Sequence, residues 1–271
     1  MTTSVRFTTV ATGPYVKYWE GFVQSVLRIN ESIPDEFEIS FAVLTDSPTS
    51  VSQYSRQLGV TAVKVFEFPE ITWPAATLLR YEAYSVHRDE IQDGVDYVVH
   101  VDADMLLRSW PTARLWEQLD RAGVLLVRHP GYFRSRNPIT RMISLDLGEM
   151  VSDRRRLKFM GGLGDWETNP HSAAYVPRNQ RRDYVCGGVW FATPQEFSRL
   201  TVKIAAQIRL DSEKGFIAKW HDESHLNQWA AENPSRHEVL GPEFCFVEGY
   251  RHLAGMEPVI EAVEKGTNRV R

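Results

Sequence analysis

The run Tyr97-Val98-Val99-His100-Val101-Asp102-Ala103-Asp104-Met105-Leu106 constrains this chain more than any other stretch. Val98-Val99-His100-Val101 is nearly unbroken apolar sequence, the pattern of a buried strand. It stops at two carboxylates two residues apart. Strand alternation would send Asp102 and Asp104 to the same face, where two unpaired carboxylates are costly to bury. A hard divalent cation, Mn²⁺ or Mg²⁺, is the expected compensation, and such ions commonly complete their shell with substrate phosphates. The motif therefore points to a nucleotide or nucleotide-sugar site at the carboxyl end of a strand, where open α/β sheets bind ligands. Because D-x-D is short, a strand-ending turn with solvated aspartates is the plain alternative.

At 271 residues the chain can bury a full core. Its net charge of −4 argues against a general nucleic-acid coat. Two cysteines, Cys186 and Cys245, are too few for a disulfide scaffold. There is no signal-peptide pattern and no apolar run long enough for a transmembrane segment, so a soluble cytoplasmic protein is expected. Composition leaves the oligomeric state open.

The first half alternates as βαβ units do. Strands are expected at Val5–Thr12, Phe37–Thr45, Ala62–Phe66, the carboxylate-tipped run and Gly123–Val127, with helices near Tyr15–Asn30, Ser52–Leu58 and Ala75–Ile91. That is a doubly wound α/β pattern. From Tyr132 to about Arg182 there is little periodicity, many arginines and the cluster Gly161-Gly162-Leu163-Gly164, as in a binding loop or an irregular surface excursion. Order returns with Tyr184–Phe191, a strand whose glycines would let a ligand approach the backbone. Thr193, Pro194 and Glu196 then read as the cap, first residue and reciprocal partner of a helix running to about Leu210.

A second constellation is Trp220-His221-Asp222-Glu223-Ser224-His225-Leu226-Asn227. His221 and His225 have the i, i+4 spacing of a zinc-peptidase helix. Glu223, however, stands one position late, about 100° from the required direction. A helix N-terminus capped by Asp222 is a second reading. In a third, Asp222 and Glu223 belong to an active site with Trp220 as an apolar wall for a sugar. One acidic motif suited to metal-diphosphate and another suited to a reacting sugar together suggest glycosyl transfer.

That string closely resembles the retaining family 6 glycosyltransferases, the group of the blood-group A and B transferases and α-1,3-galactosyltransferase. Further matches follow in order: Tyr97–Met105, His129-Pro130-Gly131-Tyr132, Trp166-Glu167, Ala174-Tyr175-Val176-Pro177 and Gly187-Gly188, so that the resemblance spans nearly the whole chain. It implies a soluble, bacterial kind of member with a GT-A fold in one catalytic domain. Residues 1–131 would serve mainly the nucleotide, and residues 132–271 the acceptor and catalysis. It also implies a UDP-sugar donor, a carbohydrate or other hydroxyl-bearing acceptor, Mn²⁺ (or Mg²⁺) as cofactor, and retention at the anomeric carbon.

Carried over by position, the resemblance gives Asp102 and Asp104 the metal and, with Ala103, the diphosphate. Val10, Ala11, Thr12 and Tyr15 line the uridine pocket. Trp73 and Arg80 serve the donor, Arg80 also reaching Asp102. His129, Asp165 and Trp220 contact the acceptor, Asp222 holds donor-sugar hydroxyls, and Glu223 is the catalytic carboxylate beside the acceptor. Lys265 and Arg271 keep the spacing of the family's diphosphate clamp. Cys186, Gly187 and Gly188 fall at donor-selecting positions, with Gly188 leaving room for a C2 substituent.

Several positions depart from the family pattern. Val-Ala-Thr replaces Phe-Ala-Ile at residues 10–12, and Cys186 replaces the usual Leu or Met. Val247 stands where an acceptor-binding Asp is usual, with Glu248 beside it, and Asp165 stands where Thr is usual. Residues 134–163 look inserted. No counterpart of the mammalian anchor is expected, whereas both D-x-D carboxylates, which many bacterial relatives replace with N-x-N, are present. The rival readings are a non-catalytic nucleotide-sugar or carbohydrate-binding protein on the same fold and, more remotely, a zinc hydrolase.

Overall fold

A computed structural model describes residues 2–134 and 147–263 of the chain. Its centre is a mixed seven-stranded sheet. Four strands are parallel: β3 (Val63–Glu67), β2 (Phe37–Thr45), β1 (Thr3–Val10) and β4 (Tyr97–Val101). Next to β4 lies β7 (Val185–Ala192), antiparallel both to it and to β6 (Val124–Arg128), with β8 (His237–Leu240) at the far edge, parallel to β6. The sheet thus draws strands from both sides of residue 131.

The apolar runs are strands because both faces are covered. Val99 and Val101 face a core that includes Trp19 and Phe22 of α1 (Val16–Arg28) and Trp116 of α5 (Ala113–Ala122). Val98 faces a second core with Tyr81 and Tyr84 of α3 (Ala75–Val86) and Phe197, Leu200 and Ile204 of a later helix, Pro194–Glu213. The intervening helices α2 (Pro48–Gln57) and α4 (Arg88–Gln92) complete the first half; the helix expected over Ala75–Ile91 is divided at His87. The result is an α/β domain whose mixed sheet is flanked by helices, as the GT-A expectation requires.

Three features differ from the sequence reading. The strand ends at Val101, and Asp102-Ala103-Asp104 form a turn leading into β5 (Met105–Leu107). A turn, not alternation, sets the two aspartates. β5 pairs antiparallel with β9 (Ile260–Ala262), and the Val263 N–H bonds the Asp104 carbonyl at 2.8 Å, so the chain leaves β9 beside the D-x-D turn. Second, the aperiodic middle contains a helix, α6 (Leu147–Met160). It was hard to read because it has no apolar stripe. Third, helix α7 (Pro194–Glu213) begins after Thr193 with Pro194 in its first turn, but the reciprocal cap does not form. Glu196 instead accepts from Arg199 and Arg236. The last helix, α8 (His221–Glu232), carries the Trp220–Asn227 string. No helix among the described residues is long and apolar enough to cross a membrane.

Candidate active site

β4 and β6 run parallel and β7 runs against both, so the carboxyl ends of the first two meet the amino end of β7. At that meeting point is a cavity of about 310 Å³. Asp102 follows β4, His129 follows β6, and Gly187 and Gly188 lie in β7. Helix α3 supplies Thr77 and Arg80 from one side, with Trp73 just before it, and α8 supplies His221, Asp222 and Glu223 from the other, with Trp220 before it. The sequence reading thus finds most of this wall: Trp73, Arg80, Asp102, His129, Gly187, Gly188, Trp220, Asp222 and Glu223 converge although up to 150 positions separate them.

Arg80 is the organising group. It is 5% exposed and its Nε donates to Asp222 Oδ2 at 2.8 Å while another nitrogen also reaches that oxygen. A third nitrogen donates to Asp102 Oδ1 and lies 3.0 Å from His100 Nε2. A guanidinium can only donate, so His100 Nε2 accepts and Nδ1–H is left to face the Tyr84 hydroxyl at 2.9 Å. Burial pulls the His100 imidazole down to about 4, keeping it neutral at ordinary pH. Burial opposes charge on Asp102 too, but the Arg80 charge outweighs it and holds that carboxyl well below its usual range. Thr77, Arg80 and Tyr84 share one face of α3 by their i, i+3 and i+4 spacing. That spacing was the available signal for Thr77 and Tyr84, which sequence reasoning missed.

Glu223 stands on the other side of the same cavity. One of its oxygens accepts from the Gly187 N–H at 3.0 Å. Burial pushes the carboxyl up to about 8; the Gly187 hydrogen bond offsets only part of that. The remainder of the string has mechanical roles. Ser224 Oγ accepts from the Trp220 N–H at 2.9 Å, satisfying a free donor at the helix start. Asn227 bonds both Val185 N–H (2.9 Å) and Val185 C=O (2.8 Å), docking α8 on β7. Asp222 is inside the first turn and serves Arg80, so it is not the cap expected of an ordinary helix N-terminus. His221, at φ +49°, is the described non-glycine residue in the left-handed region, a strained backbone at the point where Asp222 and Glu223 are aimed. Its ring meets Trp73 edge-on, centroids 4.5 Å apart.

The acceptor-side expectations meet mixed outcomes. His129 lines the cavity; its Nδ1 accepts from the Gly131 N–H, and burial lowers its pKa to about 4, so it is neutral. Tyr132, missed as a site residue, joins the lining and packs on His129 with centroids 4.9 Å apart. Asp165 lies behind the wall. It accepts from the Trp220 indole N–H at 2.7 Å and from Lys219, so its visible work is to hold Trp220.

The donor-side expectations also divide. Cys186 turns into the core, 4% exposed, beside Cys245, whose thiol is pushed up by its hydrogen bond to Cys186 and by burial. The register shift of β6 against β7 between Leu126 and Arg128 breaks the simple alternation there. Gly188 does line the cavity, but a Cβ there would stand 2.9 Å from Met105 Cε and 3.0 Å from Asp102 Oδ2. Its lack of a side chain is therefore used first by Met105 and Asp102. Val10 ends β1, the strand paired with β4, and Ala11 and Thr12 follow it, Ala11 fully buried and Tyr15 40% exposed. Ala103 is buried in the core below the turn. Lys265, Arg271 and most of the apparent insertion's first half lie outside the described residues.

The charge balance says what the cavity can accept. Among the described residues that line it, Asp102, Asp222 and Glu223 surround a single cation, Arg80. A diphosphate alone would meet an excess of carboxylates, whereas one accompanied by a divalent cation would not. Asp102, held ionised and 38% exposed at its side chain, is suited to such an ion, with Asp104 two residues on in the same turn. The zinc-peptidase reading needs His221 and His225 on one site, but only His221 lines the cavity. His225 sits instead in the interior, 3.7 Å from Asp211.

Comparison with known proteins accords with this geometry. Residues 158–271 match the family model described as Glycosyltransferase family 6. The chain is 27% identical over 246 residues to the histo-blood group ABO system transferase 1 of Rattus norvegicus, covering 90% of this chain and 61% of that protein. It is 23% identical over 252 residues to the globoside alpha-1,3-N-acetylgalactosaminyltransferase 1 of Gallus gallus, covering 90% of this chain and 62% of that one. Over 221 residues it is 25% identical to the O-antigen biosynthesis glycosyltransferase WbnI of Escherichia coli, covering 81% and 79%. The chain thus spans about three fifths of the length of the two animal relatives. It is similar to glycosyltransferase family 6 over residues 158–271, and to the named transferases over most of its length.

Proposed function

We propose that this chain is a retaining α-glycosyltransferase that moves a hexose from a UDP-sugar to an acceptor hydroxyl with the help of Mn²⁺ or Mg²⁺. The observation that carries the reading is the position of Glu223: a carboxylate fixed by the Gly187 N–H, in one cavity with Asp102, Asp222 and their shared Arg80. A sugar held between them has one carboxylate beside the metal-diphosphate side and another beside the reacting carbon.

Asp102 and Asp104 would hold the metal, which when bound neutralises charge on the departing diphosphate. Arg80 keeps Asp102 ionised and fixes Asp222 at the same time, so that Asp222 can accept from donor-sugar hydroxyls. Glu223, as nucleophile or as stabiliser of an oxocarbenium ion, meets positive charge developing at the anomeric carbon, and that charge favours its ionised form. Trp220, braced by Asp165, and the neutral His129 form the acceptor wall. Val10, Ala11, Thr12 and Tyr15 take the uridine. Lys265 and Arg271 clamp the diphosphate, a role supported by the bond from Val263 to the Asp104 carbonyl, which starts the chain's last residues at the D-x-D turn. The donor hexose is of the Gal, GalNAc, Glc or GlcNAc type; the name of the chicken relative, an N-acetylgalactosaminyltransferase, agrees with that class.

A donor screen tests the proposal. Each of these UDP-sugars is incubated with the full chain, with Mn²⁺ or with excess chelator, and free UDP is measured. Metal-dependent UDP release from at least one donor is expected. Tight donor binding with no release or transfer for any sugar would favour the non-catalytic reading, and full activity in chelator would remove the metal from the reaction.

A further inference from the structure

His100 is a polar residue inside an otherwise apolar strand. It is fully buried in β4, on the same face as Val98 and two residues before Asp102. Its ring is packed from two sides, stacked on Trp190 of β7 with centroids 5.3 Å apart and meeting Tyr84 of α3 edge-on at 5.7 Å. A buried imidazole is costly unless its nitrogens are partnered. Both are: Nε2 accepts from Arg80 at 3.0 Å, and Nδ1 donates to the Tyr84 hydroxyl at 2.9 Å.

The contacts of Arg80 show what His100 adds. Nε and Nη2 both donate to one oxygen of Asp222, Oδ2, and two bonds to a single atom leave the guanidinium plane free to pivot about it. Nη1 places one N–H on Asp102 Oδ1 and the other on His100 Nε2, so that His100 fixes the plane. The same arrangement distinguishes the two oxygens of Asp102. Oδ1 takes the Arg80 nitrogen and lies 3.5 Å from His100 Nε2. Oδ2 lies toward Gly188 of the cavity wall, 3.0 Å from where a Cβ on that residue would stand. It is the oxygen left for a cation.

We propose that His100 and Tyr84 are positioning residues of the site. Tyr84 holds His100 in the tautomer that accepts at Nε2, His100 fixes the plane of Arg80, and Arg80 anchors Asp102 by Oδ1 so that Oδ2 remains free. Neither residue lines the cavity, so both act through Arg80. An apolar side chain could fill the space between Trp190 and Tyr84, but it would leave an Arg80 N–H buried without an acceptor. Loss of the Tyr84 oxygen would do the same to the Nδ1–H of His100. What Asp102 serves rests on the function proposed above, whereas the order of these hydrogen bonds does not.

The test uses the full chain with Tyr84→Phe, His100→Leu and His100→Gln. In the metal-free parent, ¹⁵N NMR should show a proton on Nδ1 of His100 and none on Nε2, and separate Nη signals from a slowly rotating Arg80 guanidinium. Mn²⁺ affinity in the presence of UDP is read from the electron paramagnetic resonance of free Mn²⁺. It should fall about 10- to 100-fold in His100→Leu, the range for losing a group that orients a metal ligand. In Tyr84→Phe the fall should be about two- to tenfold, the range for one buried hydrogen bond. His100→Gln, whose amide oxygen can take the place of Nε2, should recover most of the loss, which a residue that merely fills space would not require. Tyr84→Phe removes a single oxygen and keeps the ring packing, so the test stands even where a His100 variant fails to fold. A proton on Nε2 in the parent, or guanidinium rotation and Mn²⁺ affinity unchanged in Tyr84→Phe and His100→Leu, overturns the proposal. A parent that binds no Mn²⁺ with UDP contradicts the metal of the proposed function instead, and the NMR signals then decide the positioning role.

Discussion

Asp102 and Glu223 occupy opposite walls of one cavity and experience opposite electrostatics. Both are penalised by burial, but Asp102 lies against the Arg80 guanidinium and is held well below the usual carboxylate range, whereas Glu223 has a single backbone N–H and is pushed up to about 8. The contrast teaches that the position of one buried cation assigns the two carboxylates different work. One is permanently charged and suited to a cation. The other is poised to change its protonation when positive charge appears beside it.

The largest expected effect removes the second carboxylate. In the proposed reaction Glu223→Gln should lower turnover by about 10²- to 10³-fold, the scale of losing a transition-state electrostatic contact, while UDP affinity in the presence of Mn²⁺ changes little. Separate measurement of kcat and of UDP binding checks this; a near-normal kcat would take the reaction away from that wall. Removing the shared cation attacks the other wall. Arg80→Ala strands the buried Asp222 without its cation and removes the ion pair of the part-exposed Asp102, and should destabilise the fold by about 3–5 kcal/mol, the scale of breaking a buried pair. Chemical denaturation would measure it, with Arg80→Lys expected to recover part of the loss.

Smaller effects probe how the walls are held. Asn227→Ala removes the clamp between α8 and Val185 and should cost about 1–3 kcal/mol, since it leaves a buried N–H and C=O unpaired. Gly188→Ala should weaken Mn²⁺-UDP binding whichever sugar is attached, because its Cβ meets Met105 and Asp102. A penalty confined to N-acetylated donors would instead put the new methyl against the sugar. The subtlest effect is the pH dependence of stability. Glu223 has a raised folded pKa, so the native state binds more protons than the unfolded state from about 4.5 to about 8, and stability falls as pH rises through that window. Glu223→Gln should therefore gain stability relative to the parent across pH 4.5–8 and no further above it, as denaturation series without metal or donor would reveal.

Much of the frame was legible because periodicity is local. The apolar runs within Phe37–Thr45 and Tyr97–Val101 became strands at those places, buried on both faces over residues 41–45 and 97–101, the pattern such short runs suit. The Trp220–Asn227 string was legible as a unit through its resemblance to the family pattern, and its residues prove to work on different partners. What stayed hidden depends on long-range packing. Cys186 reads as a cavity residue in sequence, but the β6–β7 register shift gives it to the core. Asp102 and Asp104 read as a strand face, but the chain turns at Asp102 to form β5. His100 reads as part of an apolar strand, and only the arrival of Arg80 and Tyr84 from α3 makes it a relay behind the site. Helix α6 gave no periodic signal, because its attachment rests on Asp153 and Arg156 and not on an apolar stripe.

The contrast between the two walls is most directly tested by following the carboxyl groups themselves. A ¹³C-carboxyl NMR titration of the full chain, free of metal and donor, with Glu223→Gln and Asp102→Asn for assignment, reports each protonation separately. A Glu223 midpoint near 8 is expected, with Asp102 ionised throughout the range in which the protein is folded. A Glu223 midpoint near the ordinary value of 4.5, together with an Asp102 that titrates like any solvated aspartate, would contradict the division of labour between the two walls.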